Sequence, residues 1–224
     1  MKNKTAILVD GGFFLKRYKV VYGKDPLQDG GLKVAKKLYS VVKEYEKKFG
    51  FYLYRMFYYD ALPYTEKAHN PINGTAIDFS KTDLAKFRLS LFDELKKSRK
   101  VALRLGEVKK GNGWVIKPSQ TKQLLKGELT PNKLDPNDVV YELRQKGVDL
   151  KIGLDIATLT YKKLVDQIIL VSGDCDFVAA IKVARRDGID FILDSMHQNI
   201  DHSLFEHIDG LHSVCPNPNN KRKK

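Results

Sequence analysis

Gln167-Ile168-Ile169-Leu170-Val171-Ser172-Gly173-Asp174-Cys175-Asp176-Phe177 runs from apolar residues into small and acidic ones. An unbroken apolar stretch closed by turn residues reads as a strand buried on both faces. Near the other end of the chain, the apolar residues 5–9 lead into Asp10-Gly11-Gly12 in the same way. Both strands thus end in carboxylates. In an open α/β sheet, sites form just beyond the carboxyl ends of the strands. If these two strands are neighbours at the centre of a sheet, their acids converge.

The rest of the chain fits such a sheet. Residues 13–22 predict a short helix and residues 23–31, with Pro26, a loop. Leu32, Ala35, Leu38, Tyr39, Val42 and Tyr45 recur three or four apart, which predicts a helix over 32–49 ended by Gly50. Residues 51–59 read as a strand, with Asp60 as a loop acid after it. Leu84, Phe87, Leu91 and Leu95 predict a helix over 81–97. Residues 101–107 and 113–117 read as a hairpin across Lys109-Lys110-Gly111-Asn112. Residues 118–136 read as a loop or ordered insertion, and 137–145 as a short helix. Residues 150–164 form a helix that Asp149 can cap. A helix over 177–187, a strand over 189–193, a helix over 202–207 and a basic tail from 217 complete the chain. Strands alternating with helices imply an α/β fold with a mostly parallel sheet between helical layers. The expected organisation is one domain over 1–214, an insertion at about 107–136, and a basic tail over 215–224.

Composition narrows the function. The chain has 224 residues, 42% hydrophobic and 30% charged, as expected of a globular protein with its own core. Forty Lys and Arg against 27 Asp and Glu leave a net charge of +13, which suggests a polyanionic partner such as nucleic acid. Two cysteines argue against a disulfide scaffold or a Cys-rich zinc site. No apolar run approaches the ~18 residues of a membrane helix, and residues 6–9 are too short for a signal peptide, so the expected compartment is the cytoplasm.

Clustered Asp oxygens without His or Cys suit Mg²⁺ or Mn²⁺ better than Zn²⁺. Such an ion holds a phosphate, activates water and stabilises the leaving oxygen. Each acid also has a plainer reading. Asp10 can cap the following helix, one of Asp174 and Asp176 can cap while the other ligates, and Asp149 can be a cap only. Asp149 and Asp155 are six residues apart, roughly 240° around a helix, so they do not share a face. Glycines 11, 12 and 173 leave room for a substrate backbone. From Lys96 to Lys133, eleven basic residues, Lys109 and Lys110 among them, face only Glu107 and Glu128, a bias that fits a phosphate-backbone surface. Trp114 in this stretch can stack on a base, or it can pack the hairpin onto the core.

The segments Ala6-Ile7-Leu8-Val9-Asp10-Gly11, Lys146-Gly147-Val148-Asp149 with Asp155, and Val171-Ser172-Gly173-Asp174-Cys175-Asp176-Phe177 resemble the NYN domains, a PIN-like nuclease group that includes bacterial LabA-like proteins. Tyr58-Tyr59-Asp60-Ala61 is similar to the family as well. The resemblance implies a three-layer α/β/α PIN-like fold and metal-dependent cleavage of RNA. It implies metal-binding roles for Asp10, Asp149 and Asp174, with Asp155 and Asp176 as further members of the acidic site. Ser172 is placed to hydrogen-bond a carboxylate or phosphate, and Lys146 and Lys151 to offset phosphate charge. The chain departs from many relatives at Gly12, Phe13 and Phe14, where they carry an Asn. The expectation is a Mg²⁺- or Mn²⁺-dependent ribonuclease acting on RNA, single-stranded DNA and a homodimer being left open. The alternative is an RNA-binding protein of the same fold without catalysis. A phosphatase of the haloacid dehalogenase type is disfavoured because Gly12 stands where a second Asp is needed. A basic face that binds an acidic protein is a further alternative.

Overall fold

The computed structural model describes residues 2–219, so Lys221-Arg222-Lys223-Lys224 lies outside the described residues. Strand β1 (Lys4–Asp10) is followed by helices α1 (Gly11–Tyr22) and α2 (Pro26–Phe49). Then come β2 (Tyr52–Leu62), β3 (Lys67–His69), β4 (Ala76–Asp78) and α3 (Asp83–Lys96). The middle of the chain forms β5 (Val101–Ile116), α4 (Pro118–Leu125), β6 (Val139–Lys146) and α5 (Val148–Tyr161). It closes with β7 (Gln167–Val171), α6 (Val178–Arg186), β8 (Asp190–Asp194), α7 (His202–Phe205) and β9 (Gly210–Leu211).

The central sheet has seven strands in the order β6-β5-β2-β1-β7-β8-β9, and β3 and β4 pair as a separate ribbon. All neighbours in the large sheet are parallel except β5 and β6. β1 lies between β2 and β7, which brings the two sequence-predicted acidic strand ends side by side. Because side chains alternate across a strand, β1 feeds both cores. Ile7 and Val9 point into a cluster with Phe14, Tyr45 and Leu91, from α1, α2 and α3. Ala6 and Leu8 point into another with Ile152, Ile156 and Ile181, from α5 and α6. The result is the α/β/α sandwich. A fully buried residue such as Ile7 or Leu8 contributes about 1.5–3 kcal/mol through burial. Among the described residues no helix is long and apolar enough to cross a membrane.

Four local expectations need correction. The segment 137–145 is not a helix: it is most of β6, which pairs antiparallel with β5 from Glu107↔Lys146 to Ile116↔Val139. The expected turn at Lys109-Lys110-Gly111-Asn112 is instead an irregularity within the continuous strand β5, where the register shifts between Lys110 and Gly113. Glu142 of β6 fills it, accepting from the Asn112 N–H at 2.7 Å. The hairpin is thus a β5–β6 arm that runs past the carboxyl edge of the parallel strands, and the insertion extends to Lys146. Asp149 does not cap α5: Gly147 does, with φ of 78°, and Asp149 lies in the first turn. Finally, α2 begins at Pro26, inside the expected loop, and Gly30 breaks its helical geometry with φ of 75°.

Candidate metal centre

The sequence places an aspartate where β1 stops, and the fold uses it twice. Asp10 is the N-cap of α1, its Oδ1 accepting from the Phe13 N–H at 3.0 Å. Its Oδ2 receives a long hydrogen bond, 3.4 Å, from the buried Ser172 hydroxyl at the end of β7. The Ser172 oxygen in turn accepts from the Asp174 N–H at 3.3 Å. Asp174 caps the turn before α6, its Oδ1 accepting from the Asp176 N–H at 3.0 Å. Capping therefore orients both carboxylates without consuming all their oxygens. Among the described residues, the side chains of Asp149 and Asp176 have neither a hydrogen bond nor an ion pair.

These acids sense one another. Burial raises the pKa of Asp10, and Asp149 and Asp60 push it further up, against the Phe13 N–H and Ser172. Burial also raises Asp149, reinforced by Asp174 and Asp176. Ligand atoms of Asp174, Cys175 and Asp176 lie within 4.8 Å of one another, exposed to solvent. The donor set fits a hard divalent cation: carboxylates predominate, and the one soft donor, Cys175, sits at the exposed rim.

Two further acids at this edge of the sheet are already neutralised. Asp155 Oδ2 accepts from Tyr59 and from Arg104 Nε, both at 2.8 Å. Its rotation around α5 turns it onto β2 and β5, so it is withdrawn from the acidic site. The same contact engages Arg104 through its Nε, and the guanidinium also lies over the Phe57 ring. Asp60 is not a loop acid. It lies within β2, is 0% exposed and pairs with Arg88 of α3 at 2.9 Å. Burial raises its pKa against the Arg88 charge, the Ala61 N–H and Tyr58. Its Oδ2, Tyr58 Oη and Arg88 Nε are buried without a well-formed hydrogen bond. Sequence reasoning missed this group because its partner is far along the chain; the Tyr58-Tyr59-Asp60 segment was the only signal. At the end of β8, Asp194 faces the other helical layer, where Tyr45, the Met196 N–H and Ser213 satisfy it.

The glycines also have different roles from those expected. A Cβ on Gly11 would meet Tyr59 O at 2.6 Å and Tyr58 Oη at 2.7 Å, so Gly11 lets α1 start close against β2 rather than admitting substrate. Gly173 is covered by the Phe13 ring, 2.9 Å from where its Cβ would be. Gly106 admits the β6–α5 junction, which carries Asp149.

The predicted basic residues spread along the arm. Lys146 is exposed at its base, opposite Glu107, and Lys151 is on the first turns of α5. Lys109 pairs with Glu107 at 3.1 Å, Lys126 with Glu128 at 3.5 Å and Arg144 with Glu142 at 2.7 Å. Among the described residues Lys110, Lys117, Lys122, Lys133 and Lys146 have no ion-pair partner. Trp114 lies far out on the arm, edge-on to Tyr141 with ring centroids 5.4 Å apart.

Comparison with known proteins places the whole assembly in context. The NYN domain family matches residues 4–213. A crystal structure of a protein of unknown function from Vibrio parahaemolyticus is 16% identical, with 95% of this chain and 93% of that one covered and a TM-score of 0.48. Among curated proteins nothing matches.

Proposed function

The chain belongs to the NYN domain family, which matches it over nearly its whole length, and from that premise we propose that it is a Mg²⁺- or Mn²⁺-dependent ribonuclease that cuts within RNA. The supporting observation is how the acids divide. Asp60 and Asp155 have their own arginines, whereas Asp10, Asp149, Asp174 and Asp176 have no ion-pair partner among the described residues, and Asp149 raises the pKa of Asp10 as Asp174 and Asp176 raise that of Asp149. The ligand group within 4.8 Å is Asp174, Cys175 and Asp176, toward which a cation would draw the other two. Carboxylates gathered without compensation favour a cation. Asp10, Asp149 and Asp174 hold it, and Asp176 completes the site or orients its waters. When bound, the ion supplies a Lewis acid for the phosphate and lowers the pKa of water. Ser172 fixes Asp10, and Lys146 and Lys151 draw the phosphodiester toward the acids. Lys109 and Lys110 continue the basic path onto the arm.

A binding-only reading has one specific observation behind it. At Gly12, Phe13 and Phe14, where the resemblance implies an Asn, the chain offers no polar side chain, and the Phe13 ring packs against Gly173. RNA binding without cleavage in Mg²⁺ or Mn²⁺ would favour it.

Metal binding has its own test. The folded-state pKa values of Asp10 and Asp149 lie above the ordinary 3.8. Ionising them therefore costs stability. That cost is absent below the unfolded-state value and fully present once the pH has risen past the folded-state values. A cation competes with the same protons, so its affinity rises with pH across this window. At a Mn²⁺ concentration a hundredfold above Kd, binding stabilises the fold by about 2.7 kcal/mol. For a chain of this size that is a rise in Tm of about 5–10 °C. Thermal melts at neutral pH should show this rise, with a smaller one near pH 4 and most of it lost in Asp174→Asn. A Tm indifferent to Mn²⁺ and Mg²⁺ at neutral pH would contradict the metal site.

A further inference from the structure

Four aromatic rings cluster where the β3–β4 ribbon meets the β5–β6 arm, Tyr64, Phe79 and Tyr141 in mutual contact and Trp114 attached to Tyr141. Tyr64 and Phe79 pack at 5.4 Å, Phe79 and Tyr141 at 5.2 Å, and Tyr141 and Trp114 at 5.4 Å. Among the described residues, Trp114 touches one other ring, edge-on at 72°. An edge-on contact does not cover an indole face, and Trp114 is only partly buried. It borders a cavity of about 430 Å³ that Phe79, Tyr141, Asn73, Asn137 and Lys117 also line. Asn73 uses its Oδ1 on the Thr75 N–H, which leaves its amide donors.

We propose that this cavity is a nucleobase subsite, in which one base of a single-stranded substrate stacks on Trp114 while the Asn73 and Asn137 amides meet its edge and Lys117 its phosphate. The chemistry selects this occupant. Aromatic faces hold unstacked bases, amide side chains read their edges, and unpaired lysines follow the backbone. Lys117 and the neighbouring Lys122 and Lys133 have no ion-pair partner among the described residues, although Asp135 and Asp138 share the loop. The inference rests on the nuclease reading for its substrate and adds a second point of attachment. In the sheet Asp10 is level with Tyr59, and Tyr59 with Arg104. Trp114 lies ten residues beyond Arg104 on the same strand, but the register shift between Lys110 and Gly113 takes up two of them, which leaves roughly 26 Å at a rise of 3.3 Å. A trinucleotide is too short to span this distance, whereas a dodecamer at about 3.4 Å per stacked nucleotide can.

Trp114 is the only tryptophan in the chain, so its emission reports this site alone. The full chain is titrated in EDTA with a single-stranded RNA dodecamer and the same sequence as DNA, while anisotropy of end-labelled oligonucleotide measures binding independently. We expect emission to be quenched as the RNA binds. Trp114→Ala should weaken dodecamer binding by about tenfold or more, and Trp114→Phe much less. Equal quenching by DNA supports base stacking as the shared chemistry; quenching by RNA alone adds a 2′-hydroxyl contact. Saturated RNA binding with unchanged emission, or unchanged affinity in a folded Trp114→Ala, overturns the subsite. Mn²⁺-dependent cleavage without quenching would leave the nuclease reading standing and remove the subsite. Quenching without cleavage in any divalent metal would do the reverse.

Discussion

Asp10→Asn lowers Mn²⁺-dependent RNA cleavage by about a thousandfold or more, and Asp174→Asn does the same. The metal supplies several kcal/mol of charge stabilisation in the transition state, and about 4 kcal/mol corresponds to a thousandfold in rate. The substitution separates ligation from folding. Asp10 caps α1 and Asp174 caps the turn before α6, and Asn caps nearly as well as Asp. The variants should therefore keep their circular dichroism and bind RNA close to wild type in EDTA. Removing one of two repelling carboxylates also relieves the burial cost at Asp10, so metal-free Asp10→Asn should melt no lower than the parent. Single-turnover cleavage of labelled RNA is the measurement. Activity in both variants within a few-fold of wild type would reject these residues as ligands.

Arg88→Ala has the largest expected effect on stability, a loss of about 3–5 kcal/mol, because it strands a buried carboxylate. Asp60 is 0% exposed, and among the described residues Arg88 is its only cationic partner within ion-pair distance. Asp60 is already raised by burial. Without Arg88 it rises further, so the variant should regain stability as the pH falls and Asp60 takes up its proton. Asp60→Asn combined with Arg88→Met removes both charges and should recover most of the loss, as apolar replacement of a buried pair often does. Chemical denaturation of the two variants at neutral and acidic pH checks both statements. Equal losses in the single and double variants would contradict the stranded-carboxylate account.

What could be read from the sequence follows from the range of the interactions involved. The apolar runs of β1 and β7 and their terminal acids stood out because burial on both faces and the turn after the strand are local properties. The parallel sheet followed from their alternation with helices. Strand β6 did not stand out. Its sequence, Val-Val-Tyr-Glu-Leu-Arg-Gln-Lys, holds several good helix formers, and only pairing with β5 overrides that preference. The lysine- and glycine-containing stretch in β5 resembles a turn until Glu142, thirty residues away, accepts its N–H. The site divides in the same way. Asp10, Ser172 and Asp174 lie at ends of neighbouring strands, and their approach follows from topology. The neutral status of Asp60 and Asp155 depends on Arg88 and Arg104, residues that only tertiary packing brings near. Counting charge from Lys96 to Lys133 set Glu107 and Glu128 against the basic residues but left out acids beyond that stretch: Asp93, Glu94 and Asp155 pair with Lys96, Lys97 and Arg104.

The most direct test is a crystal structure of the Mn²⁺-soaked protein with anomalous scattering recorded at the manganese edge. The account predicts one ion at the carboxyl ends of β1 and β7, bound by Asp10, Asp149 and Asp174 directly or through water. Direct oxygen ligands should lie at about 2.0–2.2 Å, near the range for small hard divalent ions. No ion at these aspartates under saturating Mn²⁺, or an ion seated only elsewhere, would contradict it.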